Sequence, residues 1–500
     1  LCPMLRRAEN AEKGKAAFLR SGNGGWKATV NDSRIYIAGM QQLTYFHSDM
    51  KKEGAITVTP KGATFTDTVI YAANSLTYDA KFPVTLGVGV KTNKAYNFPV
   101  TDGNRLARTD ATPVILNEND FTLLYEVVAS GSAVNVTFKS GETTLATEPW
   151  AKGSTPKYNG IVPVAEGNPE SDTVQAPSGR WLIDGKNDPL TAEQVAAGET
   201  LIAVAEFVDT PKAFQATTAD GTTTYYTDPA FETLYDYVTK MTEAAKIRLY
   251  QNYEIPDGKT LKFLQDGSEL DLNGKTLKTK YKLSNNGLVS TSKTLYVYST
   301  KPGAQILADA PRMNENVNGG GFLLKAWGGG HLVVGRAKDA ATAVHPVTAK
   351  GTCLVMVDGT GTIVELEEVT YVQTVGDYLG YIQYNGTSDT VIVKNCNLWL
   401  TLIDPLEPQG LFGIRNGSGG WKAEVSGSKI YIAGEKQLTR IHDVVQKPGA
   451  VTVDVLGATF TDTVIYSAIP LTYDAKFPVT LGVGVKTNQP NNFPVTEGNR

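Results

Sequence analysis

Short stretches in which apolar and polar side chains alternate recur along the second half of the chain. The segment 421–432, WKAEVSGSKIYI, contains two such stretches separated by a Ser-Gly-Ser turn. Its alternating apolar positions are Ala423, Val425, Ile430 and Ile432. A period of two places alternate side chains on opposite faces of a β-strand. The segment therefore predicts two short strands, each with one buried face, joined by a tight corner.

The same strand–corner–strand pattern returns at a long and nearly constant spacing. It is clearest at 362–372, 390–400, 422–432 and 450–466, and less regular at 269–279, 288–300 and 321–334. Short strands with a long period of roughly 28–31 residues and no helices between them are typical of a parallel β-solenoid. A sandwich would show hairpin signals about every 8–12 residues. We therefore predict a mainly β protein containing a right-handed parallel β-helix.

A long internal repeat divides the chain. Residues 21–105 return without a gap as residues 416–500, an offset of 395 (416 minus 21), with about seven positions in ten identical. In the strand–corner–strand unit the two copies differ at the outer face and the corner, whereas the apolar face is unchanged. We predict that 257–500 is a parallel β-helix and that 1–105 is the C-terminal part of a preceding β-helix repeat. A weaker match of 2–26 to 396–421 leads us to expect that the chain samples a longer tandem array.

The region between the two copies does not follow the solenoid pattern. Strand-like runs with turn residues at 136–164, 179–190 and 198–207 predict a small antiparallel β domain over 106–208. A connector over 209–256 contains a predicted helix at about 229–246, with Asp228 as a cap and Pro229 in its first turn. The helix would present an apolar stripe of Phe231, Leu234, Tyr235, Val238, Met241 and Ala245. We expect it to cover the N-terminal mouth of the β-helix, or alternatively to pack on the antiparallel domain as a linker.

Composition and charge exclude several kinds of partner. Lys and Arg (47) nearly balance Asp and Glu (51), so the sequence provides no basic stripe for nucleic acid. An apolar run of the length needed to span a membrane does not occur in this stretch. Three scattered cysteines predict neither a disulfide framework nor a zinc site. We predict no metal and no cofactor.

Candidate catalytic residues are sparse. The acidic residues of the repeating strands are spread over several turns and favour a solvated outer face: Glu365, Glu367, Glu368, Asp454 and Asp462. His47 and His442 occupy equivalent positions in the two copies, but neither has a sequence partner that predicts catalysis. We therefore assign no catalytic residue and predict that the protein is not an enzyme.

Aromatic residues supply one positive hypothesis about binding. Tyr36 and its equivalent Tyr431 point outward in the predicted strands, with Trp26 and Trp421 beside them. Such residues can stack against sugars or pack against a neighbouring subunit. We expect these four residues to form a glycan or subunit contact.

Two stretches resemble known modules. Residues 223–277, with a Tyr-Tyr pair, a helix and the sequence LDLNGKTL, resemble the start of pectate-lyase-like β-helix modules in large surface proteins of gut Firmicutes. Residues 136–207, with KGSTPKY at 152–158 and Trp181, resemble the small Ig-like (Listeria–Bacteroides-type) repeats of the same proteins. The resemblance implies that 106–208 is Ig-like, and that the protein is extracellular or displayed on a cell surface.

These patterns together predict an extracellular tandem-repeat structural protein that forms a long surface fibre, stalk or filament. Its expected partners are further copies of itself or neighbouring repeats along a fibre, with a glycan or host-surface ligand as a further possibility. An adhesin would share this architecture and differ only in its ligand. The alternative is a carbohydrate-active β-helix enzyme (a polysaccharide lyase or hydrolase) or a phage tailspike, which would require an acidic cleft along one sheet.

Overall fold

The chain is mainly β, with extensive parallel sheets, as the alternating pattern predicts. A computed structural model describes residues 15–19, 22–37, 41–46, 51–116, 119–164, 167–168, 170–198, 200–279, 287–308, 322–351, 353–374, 380–400, 409–433 and 436–497. The chain divides into two compact units, which we describe in turn. The first comprises 1–165 with 175–209, and the second comprises 166–174 with 210–500.

The first unit opens with nine short strands that pair in parallel. They are β1 (Lys15–Leu19), β2 (Lys27–Asn31), β3 (Arg34–Ile37), β4 (Gln41–Phe46), β5 (Gly62–Thr66), β6 (Val69–Ala72), β7 (Leu76–Thr77), β8 (Val84–Leu86) and β9 (Lys91–Thr92). Every third strand is a neighbour, which gives the rows β1-β4-β7, β2-β5-β8 and β3-β6-β9. The apolar side chains of these rows, including Phe65, Ile70 and Val84, form one buried cluster.

The remaining strands of the first unit extend the row β3-β6-β9 into a nine-stranded sheet. They are β10 (Asn104–Leu116), β11 (Asn119–Ala129), β12 (Ala133–Ser140), β13 (Thr143–Ala151), β14 (Thr173–Ile183) and β15 (Thr200–Pro211), with helix α1 at Ala192–Ala197. β10–β11 and β12–β13 are antiparallel pairs, whereas β12–β15 is parallel. The region predicted as a small antiparallel domain thus contains antiparallel pairs together with a parallel one, and the predicted boundary at 105/106 falls inside β10.

The second unit begins with a hairpin and a helix. β16 (Phe214–Thr218) and β17 (Thr223–Tyr226) form the hairpin, helix α2 spans Phe231–Lys240, and β18 spans Ala245–Leu249. β16 pairs antiparallel with β18, so the hairpin lies along the first strand of a long sheet. Phe231, Leu234 and Val238 of α2 are buried in the same apolar core as that sheet.

The predicted helix at 229–246 is too long at both ends. Ala230 is the N-cap, so Pro229 precedes the helix, and Met241 already has an extended backbone. In the segment 245–249 Ala245, Ile247 and Leu249 are buried, and Lys246 and Arg248 between them are partly exposed. This period of two favours a strand and overrides the helical spacing of Ala245. Parallel pairing therefore starts within the segment predicted as a connector.

The rest of the second unit consists of short strands that visit three sheets in rotation. They are β19 (Tyr253–Glu254), β20 (Leu261–Phe263), β21 (Ser268–Asp271), β22 (Thr276–Thr279), β23 (Val289–Thr291), β24 (Thr294–Tyr298), β25 (Gln305–Ala308), β26 (Phe322–Trp327), β27 (His331–Val334), β28 (Val347–Gly351), β29 (Cys353–Asp358), β30 (Ile363–Glu367), β31 (Val369–Gln373), β32 (Gly380–Tyr384), β33 (Thr390–Lys394), β34 (Asn397–Leu400), β35 (Gln409–Ile414), β36 (Lys422–Ser426), β37 (Lys429–Ile432), β38 (Lys436–Ile441), β39 (Gly457–Thr461), β40 (Val464–Ser467), β41 (Val479–Leu481) and β42 (Lys486–Thr487). A one-turn helix, α3 (Asp443–Gln446), lies between β38 and β39.

Three sheets collect these strands. Sheet I has the order β17-β16-β18-β21-β24-β27-β30-β33-β36-β39-β41, sheet II the order β19-β22-β25-β28-β31-β34-β37-β40-β42, and sheet III the order β20-β23-β26-β29-β32-β35-β38. From β18 onward every pairing in sheets I and II is parallel. Consecutive strands thus lie in different sheets, and strands three apart are neighbours as far as β40; the last neighbours, β39–β41 and β40–β42, are two apart.

The alternation seen in the sequence explains this arrangement. The four apolar residues identified at 423, 425, 430 and 432 are all buried, in β36 of sheet I and β37 of sheet II. One core cluster includes buried residues from Ala213 to Val479. Among the described helices, none is long and apolar enough to cross a membrane.

Candidate functional surface

An aromatic ladder lies on the outer face of sheet II. Trp399 of β34, Tyr431 of β37 and Tyr466 of β40 occupy positions directly opposite one another in the parallel register. Their ring centroids are 5.6 Å apart for Trp399–Tyr431 and 5.4 Å apart for Tyr431–Tyr466. Trp399 is 44% exposed and Tyr466 50% exposed, so the ladder faces solvent. In the first copy, Tyr36 and Tyr71 make the equivalent stack at 5.8 Å.

The aromatic rings of the ladder pack against one another. Tyr431 lies between two neighbours, and its ring is nearly parallel to that of Tyr466, at 11°. Sugars stack on exposed aromatic faces, but the ring of Tyr431 packs against a neighbouring ring on each side. Each stacked pair contributes about 0.5–1.5 kcal/mol beyond its buried area. The ladder therefore favours the role of fixing strand register over that of a sugar-stacking platform.

The structure separates the four aromatic residues predicted to form one contact surface. Trp421 is 0% exposed, and its indole N–H donates to the Gly386 carbonyl at 2.6 Å. It lies in the corner before β36, where the chain enters sheet I, and its ring fills the core. The expectation that Trp421 is an outward residue beside Tyr431 is therefore wrong. Its counterpart Trp26 is half-buried, and Tyr36 and Tyr431 lie in their ladders, as described above.

Trp399, Tyr466 and Tyr71 belong to the ladders and were missed in the sequence. Each sits third in a four-residue strand: NLWL (397–400), VIYS (464–467) and VIYA (69–72). Tyr431 holds the same place in KIYI. Alignment of every strand after a corner, and not only of the 395-residue repeat, would have brought these aromatic residues together.

Glycines form a second stack, at the corners between sheets III and I. A side chain on Gly386 would overlap the Gly359 carbonyl oxygen, and one on Gly417 would overlap that of Gly386. Backbone hydrogen bonds link the same corners: the Thr387 N–H donates to the Gly359 carbonyl at 2.7 Å, and the Ser388 N–H donates to the Gly419 carbonyl at 2.9 Å. The corners thus continue the ladder of backbone bonds between strands.

Asp389 is a buried acid beneath this glycine stack. Its Oδ1 accepts from the Thr362 N–H at 3.0 Å, whereas its Oδ2 has no hydrogen-bond partner among the described residues. The pKa of Asp389 is raised to about 7, mainly by burial; the hydrogen bond from the Thr362 N–H opposes this rise, and the charge of Asp358 makes a smaller contribution to it. The side chain is 0% exposed, so it cannot contact a substrate as a general acid. The raised pKa of Asp389 is therefore a consequence of its burial in the core and not the mark of a catalytic acid.

A second buried acid, Asp271 of β21, is fully bonded. Its Oδ2 accepts from Arg248 Nε at 2.8 Å and from the Thr300 hydroxyl at 2.7 Å. Its Oδ1 accepts from the backbone N–H groups of Asn273 and Thr300, each at 2.9 Å. Asp271 thus accepts four hydrogen bonds, whereas Asp389 accepts one from the described residues. A single hydrogen bond is unusual for a buried carboxyl group, because buried charges are normally paired.

Charged residues meet on the outer face of sheet I. Glu365 of β30 bonds Arg336 Nη2 at 2.9 Å and His331 Nε2 at 2.9 Å, and Arg336 Nε lies 3.3 Å from Glu367. Burial raises the pKa of Glu365, but the Arg336 and His331 bonds outweigh it, and the net effect lowers the pKa. Glu365 is therefore an ionised, paired carboxylate and not a proton donor at neutral pH. These acids lie on the outer face, as predicted for the strands.

The remaining candidates have local roles. His442 is the N-cap of α3, and its Nδ1 accepts from the Val444 N–H at 3.3 Å. Its equivalent His47 lies outside the described residues. Within the described ranges no group of three or more His, Cys, Asp and Glu side chains is placed to hold a metal. No protein-family model matches the chain, and no curated protein matches it.

Proposed function

We propose that this chain is a structural tandem-repeat protein built on a right-handed parallel β-helix, acting as a stiff extracellular fibre, stalk or filament. The observation that carries the proposal is the rotation of consecutive strands through three parallel sheets. Strands β2–β6, β8 and β9 of the 21–105 block correspond in order to β36–β42 of its copy at 416–500. Crossovers between parallel strands are right-handed in nearly all proteins, which supports that hand here.

Stiffness would follow from the backbone. Parallel strands stack about 4.8 Å apart, so hydrogen bonds between strands run along the stacking direction at every layer. The glycine corners add backbone hydrogen bonds between one corner and the next. The aromatic ladder adds ring contacts on the outer face of sheet II. Repeat proteins of this kind derive their stability from contacts between neighbouring layers.

This stiffness would not depend on covalent cross-links. Cys353 and Cys396 are both buried, and neither forms a disulfide bond within the described part of the chain. Burial raises the pKa of Cys396 to about 12, which leaves it a thiol at neutral pH and a poor nucleophile. The core, and not redox chemistry, would hold the fibre together.

The first strands of sheets I and III are covered, as a protein of near-identical repeats would require. Hairpin β16–β17 lies along the first parallel strand of sheet I, and α2 packs against β20, the first strand of sheet III. Both devices cover strand edges that would otherwise pair with identical strands of a neighbouring repeat. We infer that they keep near-identical repeats from mispairing.

Secretion and self-association are part of the proposal. The resemblance of 223–277 and 136–207 to surface-protein modules supports display on a cell surface, with further copies or repeats as the main partner. A glycan or host-surface ligand is the secondary candidate, because Tyr431 in the middle of the ladder already packs against Trp399 and Tyr466.

The experiment is electron microscopy of proteins carrying one, two and three tandem copies of residues 106–500. The proposal predicts particles of constant width whose length increases by the same amount with each copy. Particles that become wider, or flexible beads without a fixed increment, would contradict it. A matched array with Gly386→Ala in every copy serves as a control, because it should lose the regular increment.

A further inference from the structure

The last parallel strands of the two repeat copies have the same sequence but different surroundings. Residues 87–93 and 482–488 both read GVGVKTN. In the first copy Val90 and Thr92 are 0% exposed. In the second copy Val485 is only half-buried, and both Lys486 and Thr487 are exposed. Sequence alone therefore does not account for the difference.

The covering element in the first copy is β11. It pairs antiparallel with β9, with Tyr125 opposite Thr92 and Glu126 opposite Lys91. The Val127 N–H donates to the Val90 carbonyl at 2.9 Å, and the Gly89 N–H donates to the Val127 carbonyl at 3.0 Å.

Side chains reinforce this pairing. Val127 is 0% exposed and belongs to the same apolar cluster as Val90 and Leu86. Lys91 Nζ lies 3.8 Å from Glu126 Oε2. The hairpin β10–β11 thus caps this sheet through backbone bonds, apolar contact and charge.

The second copy presents the same backbone template. Gly484 has φ 78° where Gly89 has φ 77°. The Gly482 N–H donates to the Phe460 carbonyl at 2.7 Å, as the Gly87 N–H donates to the Phe65 carbonyl at 2.6 Å. In the described part of the chain, β42 pairs with β40 alone. Val483, just before this strand, is 65% exposed, and Val495, which forms a β-bridge with Leu481, is 47% exposed.

We propose that the edge of β42 is a binding site for a β-hairpin with the sequence of Asn104–Ala129, joined in the same polypeptide at a point equivalent to the Arg105–Leu106 bond. The hairpin would pair antiparallel, with its Tyr125 equivalent opposite Thr487 and its Glu126 equivalent opposite Lys486. Its Val127 equivalent would bury Val485. The inference rests on the β9–β11 pairing, and it stands or falls independently of the fibre role.

The sequence allows a direct fusion, because EGNR at 497–500 corresponds to DGNR at 102–105, the four residues that precede Leu106. Residues 106–209 are fused directly after Arg500, and hydrogen exchange is followed in peptides covering 484–488 in the full chain with and without the fusion. Peptides covering 89–93 of the same molecule are the internal standard.

We expect exchange at 484–488 to slow by about tenfold or more and to approach that at 89–93, because edge strands gain protection when both sides are bonded. Unchanged exchange overturns the proposal, whether the added segment is protected itself or remains unprotected. The result is distinct from the microscopy, since arrays can lengthen without this pairing.

Two matched variants of the added segment check the register. Val127→Asp places a carboxylate against Val485 and should abolish the slowing. Thr122→Asp lies on the same strand at an exposed position and should preserve it. Slowing that survives Val127→Asp would overturn the proposed register and the site with it.

Discussion

Asp389→Asn is the substitution whose effect depends most sharply on pH. In the folded protein the pKa of Asp389 is raised from 3.8 to about 7, mainly by burial. The unfolded chain therefore releases this proton near pH 4, and the folded chain keeps it until about pH 7. Stability contributed by the neutral acid is complete below about pH 4 and is lost progressively as the pH rises to about 7.

The size of the effect follows from the difference between the two pKa values. A difference of about 3 pH units, at about 1.4 kcal/mol for each, corresponds to about 4 kcal/mol as an upper estimate. Asn cannot ionise, and it retains an oxygen that can accept the Thr362 N–H. The wild type should thus lose stability relative to Asp389→Asn between about pH 4 and pH 7, and the difference should then level off.

The assay is urea unfolding of both proteins across this pH range, compared at each pH so that the effects of other groups cancel. Infrared spectroscopy at pH 6 gives an independent check: a protonated carboxyl band should be present in the wild type and absent from Asp389→Asn. Asp358→Asn removes the nearby charge and should move the titration to lower pH. A stability difference that does not vary with pH would refute the reasoning.

Three further predictions concern packing and register. Trp421→Ala should destabilise the second unit by about 3–5 kcal/mol in urea unfolding, because it empties a fully buried site; a loss below about 1 kcal/mol would place the indole outside the core. Gly386→Ala should lower the unfolding temperature strongly, because the added Cβ overlaps the backbone of Gly359. Gly131→Ala is the control: its added Cβ meets no atom of the described residues within 4 Å, so it should be nearly neutral. Equal effects of the two substitutions would contradict the corner stack. Tyr431→Ala and Tyr466→Ala should be coupled by about 0.5–1.5 kcal/mol in a double-mutant cycle, and additive effects would mean that the rings do not stack.

Much of the strand architecture is visible in the sequence because burial imposes a period of two. Ala423 and Val425 point into the core from one side of a Ser-Gly-Ser corner, and Ile430 and Ile432 do so from the other. The pattern does not say that the two strands of each unit belong to different sheets. That arrangement depends on pairing between residues about 30 positions apart, which local alternation does not record.

The errors have physical causes as well. Helical spacing and strand alternation both fit Ala245, and pairing of β18 with β21 decides for the strand. The predicted boundary at 105/106 marks the last residue that has a counterpart in the second copy. β10 continues across it, because backbone pairing with β11 does not depend on the repeat.

The aromatic surface was predicted only in part. The sequence pattern predicts Trp421 beside the outward Tyr431, yet its position in a corner turns the indole into the core. Trp399 and Tyr466 align with Tyr431 only when each strand of sheet II is compared with the strands paired to it. Aromatic positions in such a chain are best assigned by aligning each strand with the one about 30 residues later, since that is its neighbour in space.

The most direct test of the central claim is an experimental density map of this chain, from crystals or electron cryomicroscopy, at a resolution that separates strands. We expect three parallel sheets occupied in turn with a right-handed course, Trp399, Tyr431 and Tyr466 in ring contact on neighbouring strands of sheet II, and the Trp421 indole in the core. Antiparallel pairing between β36 and β39, or a left-handed course, would contradict it.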